Sequence, residues 1–237
     1  MINFKILTIF PDLFPGPLAA SITGSALEKD VWSYQAINIR DYAKDKRGTV
    51  DDMPYGGGAG MVLKPDVLAD AIEDNFPKEN SESKKPTRII YLSPRGKTLN
   101  QKMARELADE DEIMLLCGRY EGVDQRVLDE FSIEEVSIGD YVLSGGEMAA
   151  YVLIDSVLRN VENVLGAEES LSEESFGSKE NSQFDNLLEY PHYTRPAKWQ
   201  GRDVPEVLTS GHHKNIDQWR KEKAIEITQK NRPDLLK

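Results

Sequence analysis

The chain has 237 residues, of which 39% are hydrophobic and 30% are charged, with a formal net charge of −12 at pH 7. This composition excludes collagen-like and wholly disordered chains, and the single cysteine, Cys117, excludes a disulfide scaffold and a cysteine-rich zinc site. No apolar run reaches the roughly 20 residues of a membrane helix, and the apolar N-terminus lacks the basic start of a signal peptide. We therefore expect a cytoplasmic protein without a membrane segment.

Strand and helix patterns alternate along the first two thirds of the sequence. Short apolar runs predict buried strands, in chain order, at residues 3–10, 32–40, 88–92, 112–117 and 133–138. Helical patterns follow at residues 18–29, 65–75, 99–108, 124–131 and 147–159. Strands that alternate with helices of this length are typical of an α/β domain with a parallel sheet.

Charge divides the remainder of the chain into two parts. Residues 162–189 contain eight acidic residues and one lysine, whereas residues 190–237 contain ten Lys or Arg against six Asp or Glu, and all three histidines. A run of charge is most often only a solvated face, but a basic segment on an acidic protein is where a polyanion would bind. The sequence predicts an α/β domain over 1–161, a flexible acidic linker over 162–189 and a small basic helical domain over 190–237, with a helix at 217–229.

Three segments that directly follow predicted strands are rich in glycine and turn residues. These are residues 93–98, 118–122 and 139–147. In a parallel α/β sheet, ligands bind at the carboxyl ends of the strands, and glycine lets the backbone approach a ligand closely. Three such segments after three strands predict one binding site.

Two common nucleotide motifs do not fit. Gly96-Lys97-Thr98 matches the end of a P-loop, but Tyr91 stands where its first glycine is required. The glycine-rich loop at residues 51–64 is followed neither by Lys-Ser/Thr nor by a helix in the frame of a dinucleotide site. The adjacent carboxylates Asp51 and Asp52 are by themselves a weak indication of a metal site.

Five motifs carry a resemblance to a known family: DDMPYGGGAGMV, YLSPRGKTL, LCGRYEGVD, IGDYVLSGGE and YPHYTRP. Together and in this order they resemble the bacterial tRNA (guanine-N1)-methyltransferases, the TrmD family of the SPOUT superfamily. The resemblance extends from residue 1 to about residue 234.

The resemblance implies a SPOUT-type parallel sheet with a C-terminal trefoil knot, a small helical C-terminal domain, and a homodimer with composite active sites. It implies S-adenosylmethionine as methyl donor, with Mg²⁺ left open as a further requirement. The substrate implied is a tRNA whose guanosine directly 3′ of the anticodon, position 37, is methylated on N1, and the basic C-terminal domain would then bind the tRNA. His212 and His213 either face the tRNA or are simply exposed. The donor-binding residues implied are Tyr91, Leu92, Ser93, Pro94, Gly96, Gly118, Tyr120, Glu121, Ile138, Gly139, Asp140, Tyr141, Val142, Leu143, Gly145 and Gly146.

The chemistry requires a base and a fixed positive charge. Guanine N1 carries a proton at neutral pH, so a carboxylate is expected to remove it, and a guanidinium would stabilise the charge that develops on O6. By the resemblance this guanidinium belongs to Arg159. From the sequence alone, Arg159 would be interpreted as an ordinary basic residue at a helix C-terminus.

The base is where the sequence departs from the family pattern, which has Asp before a Ser-Phe pair. Here Glu174 precedes Ser-Phe, and the stretch that follows is longer than expected. Aligned from the left, Glu174 takes the place of the Asp; aligned from the right, Asn181 does, and an amide cannot act as a base. Asp185 is the third candidate.

Two other functions remain open. The first is a binding module for S-adenosylmethionine or RNA that has lost catalysis, which the missing Asp suggests. The second is a SPOUT methyltransferase that acts on another RNA, against which the YPHYTRP segment and the basic tail argue.

Overall fold

The structure is a computed structural model that describes residues 1–76, 87–165, 174–176, 184 and 186–236. The chain divides into two compact units, Met1–Leu165 and Gly166–Lys237.

The N-terminal unit is built on a five-stranded sheet in which all pairs are parallel. Its strands lie in the order β2-β1-β6-β5-β7. Their bounds are β1 Ile2–Thr8, β2 Trp32–Asn38, β5 Arg88–Thr98, β6 Glu112–Leu116 and β7 Glu134–Ser137. A separate antiparallel pair joins β3 (Asp51–Asp52) to β4 (Val62–Leu63).

Five α-helices connect these strands within the described residues: α1 Ser21–Glu28, α2 Pro65–Asn75, α3 Gln101–Ala108, α4 Gln125–Glu130 and α5 Glu147–Leu158. Side-chain caps begin two of them: Asn100 accepts a hydrogen bond from the N–H of Met103, and Asp124 accepts one from the N–H of Arg126. Shorter 3₁₀ turns lie at Pro11–Leu13, Gly16–Ala19 and Ile39–Tyr42. No described helix has both the length and the apolar character needed to cross a bilayer.

A hydrophobic cluster covers each face of the sheet. Alternate side chains of β6 enter different clusters, with Ile113 and Leu115 on one face and Met114 and Leu116 on the other. Successive side chains of a strand point to opposite faces, so an apolar run of this kind requires a cover on both sides. The predicted strands are hydrophobic at successive positions because both faces of the sheet are buried.

Within its described residues, the C-terminal unit holds a two-stranded hairpin, β8 (Lys198–Trp199) with β9 (Arg202–Asp203), and two α-helices, α6 (Glu206–Thr209) and α7 (His213–Asn231). A last 3₁₀ turn spans Pro233–Leu236. The hydrophobic cluster of this unit includes the buried side chains of Phe184, Leu187, Tyr190 and Ala224, with Trp219 and Ile225 packed against them.

The predicted α/β class with a parallel sheet is confirmed, and α2 has the predicted bounds. The predicted helix at 18–29 starts later, at Ser21, because Pro17 lies in a preceding 3₁₀ turn. The predicted helix at 217–229 is the middle of the longer α7. The trefoil knot, the domain bounds and the flexible linker stay predictions, and most of the linker, like residues 77–86, lies outside the described residues.

One predicted loop was wrong. Residues 93–98 continue β5 rather than leaving the sheet, since Lys97 and Thr98 pair with Val136 and Ser137 after a register shift that follows Leu92. The shift lets a turn-rich sequence bulge outward and rejoin the ladder.

Candidate active site

A cleft of about 300 Å³ opens at the carboxyl ends of β5, β6 and β7. Its volume is within the range of small-molecule sites. Three stretches of chain line it, and together they comprise Tyr91, Leu92, Ser93, Pro94, Arg95, Gly118, Arg119, Tyr120, Glu121, Gly122, Val123, Val136, Ser137, Ile138, Gly139, Tyr141, Val142, Leu143, Ser144, Gly145, Gly146 and Ala149. The three glycine-rich segments therefore converge, as their positions after parallel strands predict.

All of the predicted donor-binding residues line this cleft except Gly96 and Asp140. Asp140 is exposed between two lining residues. At Gly96, an added Cβ would come within 2.3 Å of the backbone carbonyl carbon of Glu135, so this glycine is required by the close approach of β5 to β7. Whether either residue touches the donor stays a prediction.

Sequence reasoning did not single out, as lining residues, Arg95, Arg119, Gly122, Val123, Val136, Ser137, Ser144 or Ala149. The only available signal was that four of them, Arg95, Arg119, Gly122 and Ser144, lie inside the glycine-rich segments. A positively charged side chain between glycines is equally typical of an exposed turn, so this signal is weak.

Glycines bring the walls of the cleft close together. A Cβ on Gly118 would lie 2.6 Å from the ring of Tyr91, and one on Gly146 would lie 2.7 Å from Cα of Cys117. The N–H of Gly146 donates to the carbonyl of Gly118 at 2.9 Å, which joins the segment after β7 to the segment after β6. Burial raises the pKa of the Tyr91 hydroxyl, which thus stays neutral at physiological pH.

The glycine-rich loop at residues 51–64 borders the cleft. Its end is tied to the segment after β6 because Glu121 N–H donates to the carbonyl of Met61 at 2.9 Å and Leu63 N–H donates to the carbonyl of Gly122 at 3.0 Å. A Cβ on Gly60 would lie 2.3 Å from a carboxylate oxygen of Glu121. Tyr55, at the tip of this loop, is 99% exposed.

An ion pair extends from the lining of the cleft into the protein interior. Nη2 of Arg119 is 2.9 Å from Oε2 of Glu147, whose other oxygen accepts a 2.7 Å hydrogen bond from the Thr8 hydroxyl. Nη1 of Arg119 donates to the carbonyl of Ser144 at 3.0 Å, and its guanidinium carbon lies 4.5 Å from the ring centre of Phe10. The network connects the ends of β1 and β6 to the first turn of α5.

Cys117 is fully buried beside this network. Burial raises the pKa of its thiol well above the ordinary value, and the negative charge of Glu147 adds to the shift. A neutral, buried thiol is a poor nucleophile, so Cys117 contributes packing rather than chemistry.

Of the candidate catalytic residues in the N-terminal unit, Arg159 is not among those that line the cleft. Arg159 caps the C-terminus of α5 and is half-buried. Glu174 is half-buried in the C-terminal unit, where Ser175 Oγ accepts the N–H of Glu189 at 2.9 Å. Asp185 lies outside the described residues.

The backbone beyond Glu174 is held in the same way. The N–H of Phe176 donates to the carbonyl of Leu187 at 2.8 Å, and Phe176 has a positive φ of 70°. The Glu-Ser-Phe triplet is thereby fixed against residues 187–189, although it belongs to a segment that the composition alone indicates to be flexible.

The structure offers no cluster of three or more His, Cys, Asp or Glu side chains suited to a metal ion, as far as its described residues extend. His192 lies 2.7 Å from a carboxylate oxygen of Glu189, and His212 and His213 are exposed at the start of α7. Asp51 and Asp52 belong to the small β3–β4 pair.

The parallel sheet, the glycine-built cleft at its carboxyl edge and the separate basic unit define a ligand-binding α/β protein. The family model for tRNA (Guanine-1)-methyltransferase TrmD matches residues 2–237. The chain belongs to this family, and the resemblance that its motifs indicate is confirmed.

Several curated relatives are similar over nearly the whole chain. A protein of Rhodospirillum rubrum named tRNA (guanine-N(1)-)-methyltransferase is 56% identical over 230 residues, which cover 97% of this chain and 90% of that protein. Proteins with the same name from Anaplasma marginale (strain St. Maries) and Agrobacterium fabrum are 51% and 52% identical, over 99% and 98% of this chain and 94% of each relative.

Proposed function

We propose that the protein transfers a methyl group from S-adenosylmethionine to N1 of the guanosine at position 37 of tRNA, directly 3′ of the anticodon. The observation that carries this proposal is the cleft in which three glycine-rich segments of the family's motifs meet. Membership of the family supports the same reaction class. A tRNA-modifying enzyme of this kind would act in the cytoplasm.

The cleft fits the methyl donor by its shape and by its chemistry. Gly118 and Gly146 leave space that a Cβ would fill, and their backbone groups can approach a ligand closely. The neutral hydroxyl of Tyr91 and the carboxylate of Glu121 supply polar contacts at the wall and the rim. The donor, when bound, supplies an electrophilic methyl group, and these residues would hold and orient it.

Arg159 and Glu174 would complete the chemistry on guanine. Glu174 would accept the N1 proton, and the guanidinium of Arg159 would stabilise the negative charge that then develops on O6. The hydrogen bonds that join Ser175 and Phe176 to residues 187–189 hold the backbone beside Glu174, and a general base must be held in a defined position.

The basic unit would bind the tRNA. Lys198 and Arg202 lie exposed on the β8–β9 hairpin beside Trp199, which is 58% exposed. Cations bind phosphates without regard to sequence, and an exposed aromatic ring can stack on a base. The excess of positive charge in residues 190–237 of an otherwise acidic chain supports this assignment.

The protein would act as a homodimer with composite sites. Leu13, Met148 and Val152 are large apolar residues that are between 43% and 58% exposed. Met148 and Val152 share one face of α5, four residues apart, and the hydroxyl of Tyr151 donates to the carbonyl of Leu13 beside them. An exposed apolar surface of this kind suits a second copy of the chain.

The test is transfer of a labelled methyl group from S-adenosylmethionine to two tRNA transcripts that differ only in having guanosine or adenosine at position 37. We expect transfer to the guanosine transcript alone, with 1-methylguanosine in the nuclease digest. Methylation of another nucleotide would indicate a SPOUT enzyme for a different RNA site. Binding of S-adenosylmethionine without transfer to either transcript would support the binding module that has lost catalysis.

A further inference from the structure

Arg119 lines the cleft but also connects three parts of its framework. Its guanidinium donates to the Ser144 carbonyl at 3.0 Å and pairs with Glu147 at 2.9 Å. We propose that Arg119 is a positioning residue, which holds residues 139–146 against the end of β6 so that the cleft is shaped before S-adenosylmethionine enters. This inference rests on the proposed function.

Close packing supports this assignment. Gly145 has no room for a side chain, because an added Cβ would lie 2.2 Å from Nε of Arg119. The guanidinium thus lies against the backbone of the segment that it holds. It is also in contact with the ring of Phe10, at 4.5 Å from the ring centre, so an aromatic neighbour holds its plane in addition to the hydrogen bond to Ser144.

Glu147 fixes the guanidinium from the other side. The side chain of Glu147 is 1% exposed, so its charge requires compensation within the protein. Arg119 and the Thr8 hydroxyl supply it, and the N-terminus of α5, where Glu147 is the first residue, favours a negative charge. Oε1 of Glu147 therefore accepts a hydrogen bond from the end of β1, while the charge on Oε2 is compensated by Arg119, which follows β6.

The consequence concerns affinity for the donor. Residues 139–146 and 118–122 form two sides of the cleft. Two links join them, namely the forked guanidinium of Arg119 and the hydrogen bond from Gly146 to Gly118. Without the fork, the segment after β7 is free to move, and the donor must order it on binding. Affinity then falls by the free energy of that ordering.

The experiment compares Arg119→Gln with a matched control, Arg88→Gln. Arg88 pairs with Glu134 at 2.6 Å and its side chain is 25% exposed, against 21% for Arg119, but the pair lies at the amino ends of β5 and β7, away from the cleft. Calorimetry measures the Kd for S-adenosylmethionine on the full chain, and steady-state assays give KM for the donor and for tRNA.

We expect Arg119→Gln to raise the Kd for S-adenosylmethionine by about ten- to a hundredfold, the size of loss that is common when a residue that orients the groups of a binding site is removed. The KM of Arg119→Gln for tRNA should stay within about twofold of wild type. So should the Kd of Arg88→Gln for S-adenosylmethionine, because the contacts of Arg88 are separate from the cleft. An unchanged Kd in Arg119→Gln, or an equal rise in Arg88→Gln, would overturn the proposal. Wild-type protein that bound no S-adenosylmethionine would overturn this proposal and the proposed function together.

Two further variants separate positioning from stability. Arg119→Lys keeps the charge beside Glu147 but loses the forked guanidinium that also reaches Ser144. Its melting temperature should therefore be higher than that of Arg119→Gln and close to wild type, while its Kd for S-adenosylmethionine stays raised. A Kd restored by Lys would contradict the role of the fork. Thr8→Val keeps both charges and serves if Arg119→Gln does not fold; we expect a rise in Kd of about fivefold from the lost hydrogen bond, and no rise would overturn the proposal.

Discussion

The hydroxyl of Thr228, on the long C-terminal helix, accepts a 2.8 Å hydrogen bond from the backbone N–H of Leu188 and donates one of 2.7 Å to the carbonyl of Ala224. Thr228 is completely buried. This contact attaches the segment that holds the Glu174–Phe176 triplet to α7. The position of Glu174, the candidate base, therefore depends on a helix that begins almost forty residues further along the chain.

Replacing Thr228 with Val should destabilise the C-terminal unit. Val has nearly the same shape but leaves the N–H of Leu188 buried without an acceptor, which costs about 1–3 kcal/mol. Urea unfolding measures the change, followed by the fluorescence of Trp199 and Trp219, the two tryptophans of the C-terminal unit, in a Trp32→Phe background. Thr228→Ser keeps the hydroxyl, so its free energy of unfolding should be much closer to that of the wild type. Equal stability of Thr228→Val and the wild type would contradict the role of this contact.

The general base can be assigned by exchanging two carboxylates for amides. Glu174→Gln should lower kcat for methyl transfer by about a hundredfold or more, the usual contribution of a positioned base. Asp185→Asn should leave kcat within about twofold of wild type, because the proposal gives it no role. Binding of S-adenosylmethionine should be unchanged in both variants, and a large loss in Asp185→Asn alone would transfer the role to that residue.

Gly96→Ala should act on stability through the contact between β5 and β7. The added Cβ would meet the backbone of Glu135 and Val136 at 2.3 Å, and backbone cannot move aside as a side chain can. We expect the free energy of unfolding to fall by about 1–3 kcal/mol, the cost of overpacking. Lys97→Ala, at the exposed neighbouring position, is the control and should cause little change.

Cys117 should resist alkylation in the native protein. Its raised pKa leaves almost no thiolate at pH 8, and the sulfur is fully buried. The reaction with iodoacetamide should be about a hundredfold slower than in urea, because the thiol reacts only when the chain opens. Since the chain has one cysteine, the unfolded protein is its own control. Rapid labelling under native conditions would contradict the burial of this side chain.

The parts of the fold that the sequence predicts well are those with strong local patterns. The apolar runs of β1 and β6 and the proline start of α2 each carry their own signal. Residues 93–98 mislead because proline and glycine indicate a turn, whereas their pairing with β7 is a tertiary contact. The β3–β4 pair was missed for a similar reason, as two-residue strands have no periodicity.

The candidate site was predicted through its glycines and not through its ion pair. Glu147 follows Gly146 at the start of a helix, where an acidic residue is usually exposed and favourable to the helix dipole. Its complete burial depends on Thr8 and Arg119, which are distant in sequence. Such a partnership has no spacing rule from which it could be predicted.

The cleft takes its walls from residues 91–95 of β5 and from the segments that follow β6 and β7. The contacts of Arg119 and Glu147 also include the ring of Phe10 and the Thr8 hydroxyl, so the cleft depends on the end of β1 as well as on the three strands that line it. A ligand that binds there stabilises only the completed sheet, by mass action. Binding of a ligand in the cleft consequently indicates that the sheet of the N-terminal unit is completely folded. A ligand-dependent rise in melting temperature can therefore serve as a check on the quality of purified protein.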